Sequence, residues 1–399
     1  MRYLYGNLTF IVISVVFFTV YFTRFLDEHT SSSSGADPGK QRKRILDQHD
    51  FPASHKDSRA GQEIRTKERK DIFFLKTHKC GSSTVQNILM RYGLNEGLDF
   101  VLPERGNYLG SPTFFIPTMI GKSIRTPDRV YNVFTHHNRF NHTSTMKVMS
   151  RNSVYVTILR KPAELYESLY NYYNFEKRYH MNLTTFLENY STVERFKRGG
   201  SKFGYNQMCF DLGLNEKQFD SNGKIKQWIR KIDRTFDLVL MTEYMEESLI
   251  LLADLMKWPL ERVVFLKLNE RKSTNKLTLS AAQRKILRKL NKCDTKLHDY
   301  FFKKFKQRIR SFGVERMNTK LREFIRLNDE FSRKCDVKVA ESKLSTVRYQ
   351  TMNTLDSECV HAVTSELLFT SLLRNIQRQR VTKLRSLRNL MKNTNDKAA

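Results

Sequence analysis

Acidic residues and cysteine are both scarce in this chain of 399 residues. Forty-one Asp+Glu stand against seventy Lys+Arg, a formal net charge of +29. Such an imbalance implies an anionic partner or substrate: phosphate, sulfate, an anionic sugar, nucleic acid or an acidic membrane face. The five cysteines (Cys80, Cys209, Cys293, Cys335 and Cys359) are too few and too scattered for a disulfide scaffold. No C-x-x-C pair occurs, which argues against a zinc ribbon. The odd count leaves at least one thiol free or paired between chains. A G-x-x-x-x-G-K-[ST] string is also missing, so the chain has no nucleoside triphosphatase loop. What is present in quantity is apolar: 40% hydrophobic and 12% aromatic residues, enough to fill a core and to exclude a wholly disordered protein.

Residues 3–23 carry no charge, and Leu8 to Phe22 is densely apolar. As a helix this stretch spans roughly 30 Å, one hydrocarbon core. Residues 1–26 therefore read as a short N-terminus with a transmembrane anchor. A cleaved signal peptide is the competing reading, but Phe25-Leu26-Asp27-Glu28 offers no small-residue cleavage pattern. Arg2 on one side and Arg24 on the other give a weak orientation signal. Residues 27–70 open with Ser31-Ser32-Ser33-Ser34-Gly35 and stay polar, as a flexible stem would. The sequons at Asn141, Asn182 and Asn189, taken with the anchor, favour a lumenal domain.

Asp71 to Leu75 is a short apolar run of the kind a buried parallel strand shows. Lys76-Thr77-His78-Lys79-Cys80-Gly81-Ser82-Ser83-Thr84 follows. Val85, Ile88, Leu89 and Tyr92 then recur at helical spacing, with Gly93 as the expected stop. A strand, a loop of small residues and a helix aim unpaired backbone N–H groups at one point, an anion site. Gly81 and the serines admit a phosphate closely, the Ser83 and Thr84 hydroxyls can donate, and Lys76 and Lys79 add positive charge. An ordinary serine-capped helix start is the alternative for this segment alone.

Ser153 to Leu159 reads as a second strand, ending in Arg160-Lys161-Pro162, where a helix can begin. Arg160 at the strand end and Ser168 on that helix suit a second phosphate. A third apolar run, Arg129 to Thr135, leads into His136-His137. Adjacent residues of an extended chain face opposite ways, so one histidine faces the site and the other packs. All three clusters sit at strand carboxyl ends, where open α/β sheets bind ligands.

These segments resemble the Golgi galactose-3-O-sulfotransferases, galactosylceramide sulfotransferase among them. Phe74 to Lys79 with the small-residue turn and Asn87-Ile88-Leu89 is similar to their 5′-phosphosulfate segment. Leu159 to Pro162 with Glu167-Ser168 and Tyr172-Tyr173 is similar to their 3′-phosphate segment. Asn132 to His137 with Arg139-Phe140 looks like their central histidine motif. Phe210 to Leu214, Phe236 to Leu240, Glu243-Tyr244, Glu247-Ser248-Leu249 and Trp258 also fit. The departure is Cys80-Gly81, where the family commonly carries Thr-Ala; Cys80 keeps the turn small but removes a hydroxyl.

The resemblance implies an α/β, P-loop-like sulfotransferase domain at residues 71–335, with a central parallel sheet flanked by helices. Residues 336–399 match nothing in the resemblance and read as a basic, partly helical extension with an amphipathic stretch from Leu367 to Met391. The implied donor is 3′-phosphoadenosine 5′-phosphosulfate, held by Lys76, Thr77, His78, Lys79, Cys80, Gly81, Ser82, Ser83, Thr84, Arg160 and Ser168. The implied acceptor is the 3-hydroxyl of a β-linked galactose on a glycolipid or glycan. His137 is the first choice as base, Lys79 suits the leaving oxygen, and His78 is a helper or alternative base. No metal and no nucleic acid is expected. The implied location is the Golgi membrane, single-pass type II with a lumenal catalytic domain. Sulfation of another sugar position and a non-catalytic, membrane-tethered anionic-glycan binder are the alternatives.

Overall fold

A computed structural model describes residues 67–126, 128, 130–189, 201–266, 277–340 and 348–398. The expected membrane anchor at residues 3–23 and nearly all of the stem lie outside them. No helix among the described residues is long and apolar enough to cross a membrane.

The order begins with strand β1 (Ile72–Leu75), helix α1 (Ser82–Asn95), β2 (Val133–Phe134), α2 (His142–Met146), β3 (Val154–Leu159) and α3 (Pro162–Tyr172). Short helices α4 (Phe175–Tyr179), α5 (Leu183–Glu188) and α6 (Gln207–Asp211) follow, then α7 (Asn222–Thr235), β4 (Leu238–Met241) and α8 (Met245–Met256). The chain continues through α9 (Ala281–Leu290), α10 (Lys292–Phe312) and α11 (Val314–Lys334) to β5 (Val337–Ala340) and β6 (Arg348–Thr351). It closes with α12 (Ser357–Val363) and α13 (Glu366–Ala398).

The central sheet is parallel in the order β2-β1-β3-β4, with Ile72 opposite both Val133 and Val154, and Val156 opposite Leu238. All four residues of β1 are fully buried, as expected for a strand covered on both faces. After β1 the chain goes to one side for β2 and then crosses to the other for β3. The crevice at this reversal lies beyond Leu75 and Leu159, and the two expected anion segments leave the sheet there. Thr242 ties the two loops together: its hydroxyl lies 2.6 Å from the Cys80 carbonyl oxygen and 2.9 Å from that of Leu159.

Several expectations need correction. Gly93 does not end α1, which runs on to Asn95. A Cβ there would lie 2.4 Å from Cζ of the buried Phe100 ring, so glycine lets helix and ring approach. Gly93→Ala should therefore lower stability by about 1–3 kcal/mol through overpacking, outweighing the ~1 kcal/mol helix gain of alanine. Chemical denaturation measures this, and a stabilised variant would contradict the packing role.

The stem does not reach residue 70 as a free segment. The Arg69 N–H donates to the Met256 carbonyl, and the Arg69 carbonyl accepts from the Trp258 indole at 3.0 Å. Helices α9 and α10 meet at Asn291. Phe301 and Phe305 of α10 are buried, whereas Asp299 pairs with Arg288 outside the core.

Residues beyond 335 belong to the same compact unit, which covers Glu63–Ala399. Leu373 and Val381 of α13 are buried, while Leu384, Leu387 and Met391 are exposed, so the amphipathic stretch packs as far as Val381. Disulfides Cys209–Cys293 and Cys335–Cys359 leave Cys80 as the free, buried thiol. The first joins α6 to the start of α10. There Asp294 also accepts from the Met208 and Cys209 N–H groups, fixing the helix that ends at Asp211.

Candidate active site

The turn after β1 is built for an anion by its backbone. Lys79 (φ 58°) and Gly81 (φ 69°) both take left-handed conformations, and Gly81 is the N-cap of α1. Left-handed residues alternating with ordinary ones turn successive N–H groups toward one hollow. Among the described residues the N–H groups of Cys80, Gly81, Ser82 and Ser83 have no protein acceptor, whereas that of Thr84 is bound to the Gly81 carbonyl at 3.1 Å. These donors stand at the positive end of a fourteen-residue helix.

The side chains of this segment divide into those facing the turn and those that brace it. Thr77 Oγ1 donates to the Ile158 carbonyl at 2.6 Å, and Ser82 Oγ to the Thr77 carbonyl at 2.7 Å. Both hydroxyls are thus spent inside the fold, and Ser82 offers the site its N–H alone. Lys76, expected among the donor ligands, is buried and pairs with Glu366 of α13. Burial lowers its pKa, and the Glu366 carboxylate opposes that shift. Cys80 is buried too, and its Sγ lies 3.4 Å from the His78 carbonyl. The Cys80 side chain thus turns into the fold.

Lys79 keeps its ammonium at the turn, 3.4 Å from the centre of the half-exposed Tyr172 ring. Arg160 arrives from β3, and its Nη1 donates to the Lys79 carbonyl at 2.9 Å. The guanidinium therefore touches the turn itself. Ser168 lies one helical turn before Tyr172, hence on the face of α3 that meets Lys79. Ser83 is partly exposed and Thr84 buried on the first turn of α1.

The two adjacent histidines separate as alternation requires. His136 is fully buried and faces α13, with Nε2 2.9 Å from Thr370 Oγ1; burial lowers its pKa to about 3. His137 faces the other way and stacks on His78 with ring centres 4.2 Å apart. Its Nδ1 is 3.0 Å from the Lys76 carbonyl oxygen, an acceptor, so Nδ1 carries the hydrogen. The Nε2 lone pair is left without a protein partner among the described residues. Burial, with Lys76, His78 and Lys202 close by, holds His137 well below the usual histidine pKa, so it is neutral at neutral pH.

His78 is held on both sides: Nδ1 is 2.9 Å from Asp211 Oδ2, and Nε2 is 3.1 Å from the Tyr108 hydroxyl. Tyr108 also stacks on His137 at 4.9 Å, and Lys202 sits over the Tyr108 ring. Gln207 donates to Asp211 at 2.8 Å. Asp211, Tyr108, Lys202, Gln207, Thr242 and Glu366 were not singled out from the sequence. Asp211 lay inside a resembling segment; the others carried no local signal.

Among the described residues no group of three or more His, Cys, Asp or Glu side chains could hold a metal ion. What the site assembles is a cradle of N–H donors, an arginine beside it, an ammonium, and a neutral imidazole with one nitrogen available. This equipment suits transfer of an anionic group to a hydroxyl.

A family model described as galactose-3-O-sulfotransferase matches residues 14–361. The galactosylceramide sulfotransferase of Bos taurus is 32% identical over 273 residues, covering 67% of this chain and 64% of the relative. That of Homo sapiens is 33% identical over 255 residues, covering 62% and 60%. Galactose-3-O-sulfotransferase 3 of Mus musculus is 34% identical over 268 residues, covering 63% and 61%. The aligned part thus spans less than two-thirds of the length of these relatives.

Proposed function

Because the chain belongs to the galactose-3-O-sulfotransferase family, we propose that it transfers a sulfuryl group from 3′-phosphoadenosine 5′-phosphosulfate to the 3-hydroxyl of β-galactose on a glycolipid or glycoprotein glycan. The observation that carries this reading is the meeting of the Gly81 turn and Arg160 at the sheet's switch point. A donor with phosphates at both ends needs two anion sites, and the residues here fit it. The N–H groups of Cys80 to Ser83 hold the 5′-phosphosulfate, and Arg160 with Ser168 holds the 3′-phosphate. The donor supplies an activated sulfuryl group and a phosphate leaving group.

The remaining work falls to the chain. His137 Nε2 takes the proton that the galactose hydroxyl loses as the new S–O bond forms. Lys79 and the α1 amino terminus stabilise charge on the departing phosphate oxygen. Asp211 orients His78, and His78 and Tyr108 stack on His137 and fix the plane of the base. The protein's own place in this reading is the Golgi membrane, spanning once as a type II protein with its catalytic part in the lumen. The two disulfides suit such an oxidising compartment.

The experiment is product analysis after the full chain is given sulfur-35-labelled donor and a mixed pool of glycolipids and glycans. Label on O3 of galactose is expected. Label at another sugar position, or tight glycan binding without donor consumption, would overturn the assignment.

A further inference from the structure

The matched family region stops at residue 361, and α13 begins at Glu366. Yet this last helix reaches the back of the site at several points. Glu366 Oε2 pairs with the buried Lys76 ammonium, and Glu366 Oε1 accepts from Asn107 Nδ2 at 3.0 Å. Thr370 Oγ1 donates to the Glu366 carbonyl at 2.7 Å, so at 2.9 Å from His136 Nε2 it acts as acceptor. Arg374 donates to the Gly106 carbonyl at 3.0 Å. Gln377 closes on both the N–H and the carbonyl of Phe100, at 2.8 and 3.0 Å.

Both Glu366 contacts end at His137. Lys76 is the residue whose carbonyl receives the His137 Nδ1 hydrogen. Asn107 immediately precedes Tyr108, whose ring stacks on His137 at 4.9 Å and whose hydroxyl meets His78 Nε2 at 3.1 Å. One carboxylate thus anchors both the acceptor that fixes the tautomer and the ring that fixes the plane. A buried ammonium without its counter-ion would deprotonate or draw in water, and either disturbs the backbone at residue 76.

We propose that Glu366 is a positioning residue for the base: it holds Lys76 and Asn107 so that His137 keeps its hydrogen on Nδ1 and presents Nε2 to the acceptor hydroxyl. This rests on the sulfotransferase reading for its kinetic consequence but not for its structural one. The charged and titratable groups around the pair are Lys76, His136 and Arg374. Around the imidazole they are His78, Lys202, Asp211 and Tyr108.

The test uses the full chain with ring-¹⁵N-labelled histidine, as wild type, Glu366→Gln, Glu366→Asp and the double variant Lys76→Met with Glu366→Leu. In Glu366→Gln, kcat should fall on the order of tenfold to a hundredfold, as for a slightly misplaced reacting group. Affinity for adenosine 3′,5′-bisphosphate should stay within about threefold, since only a step after donor binding is touched. The His137 nitrogen signals should lose the single Nδ1–H pattern of the wild type, and Glu366→Asp should recover part of both effects. Should Glu366→Gln fail to fold, the double variant removes both buried charges together, which buried pairs tolerate. It should show the same loss of kcat and of tautomer.

Three results overturn the proposal: unchanged kcat, kcat and bisphosphate affinity falling together, or an unaltered His137 spectrum. If the wild type transfers no sulfuryl group, the functional reading fails, while the nitrogen spectrum still decides the role of Glu366.

Discussion

Replacing His137 with alanine should cut kcat by about 10²–10⁴, the usual contribution of a positioned general base, while affinity for adenosine 3′,5′-bisphosphate changes little. The split follows from the geometry. The turn of Cys80 to Ser83 and Arg160 carry the anion contacts, and His137 meets the segment before that turn, at the Lys76 carbonyl and the His78 ring. The same residue sets the acid limb of the pH profile. A base works when neutral, and protonation on lowering the pH removes it. Burial and the neighbouring Lys76, His78 and Lys202 hold His137 well below 6.5. Its proton therefore arrives only at more acidic pH than for a free imidazole, and the wild-type rate should persist below the point where an ordinary histidine would lose half its activity. Steady-state kinetics across pH measure both effects. Full turnover in His137→Ala would move the base role to His78, whose nitrogens are both already engaged.

Arg160→Ala should do the opposite, weakening bisphosphate binding far more than it slows the bound complex. A charged donor on a phosphate contributes roughly 1.5–3 kcal/mol, about tenfold to a hundredfold in affinity. The variant also removes the guanidinium contact to the Lys79 carbonyl, which braces the turn from the side. Ser168→Ala loses a neutral hydroxyl, and its effect should stay near 0.5–1.5 kcal/mol. Titration calorimetry on the two variants gives the order directly. Equal effects, or none from Arg160, would show that the second phosphate is held elsewhere.

The features that could be read from residues alone were local ones. The apolar runs ending at Leu75 and Leu159, the small-residue turn and the proline at the start of α3 specify two strand-to-helix units by themselves. The separation of His136 from His137 followed from the alternation of extended chain. The structure departs from expectation where a partner distant in sequence decides the outcome. Lys76 looks like a donor ligand until Glu366, 290 residues later, takes its ammonium. Thr77 and Ser82 stand in the implied donor-holding segment, but neighbouring carbonyls accept from their hydroxyls. Gly93 has the form of a helix stop, and only the Phe100 ring shows why glycine is there. Asp211 and Tyr108 carry no spacing signal toward His78, because short segments far apart in the chain bring them to it.

The structure of the full chain bound to adenosine 3′,5′-bisphosphate is the most direct measurement. The 5′-phosphate should accept from the N–H groups between Cys80 and Ser83, and the 3′-phosphate should lie on Arg160 and Ser168, with His137 Nε2 open toward the acceptor side. A nucleotide bound away from this turn, or held there with Arg160 making no phosphate contact, would contradict the assignment.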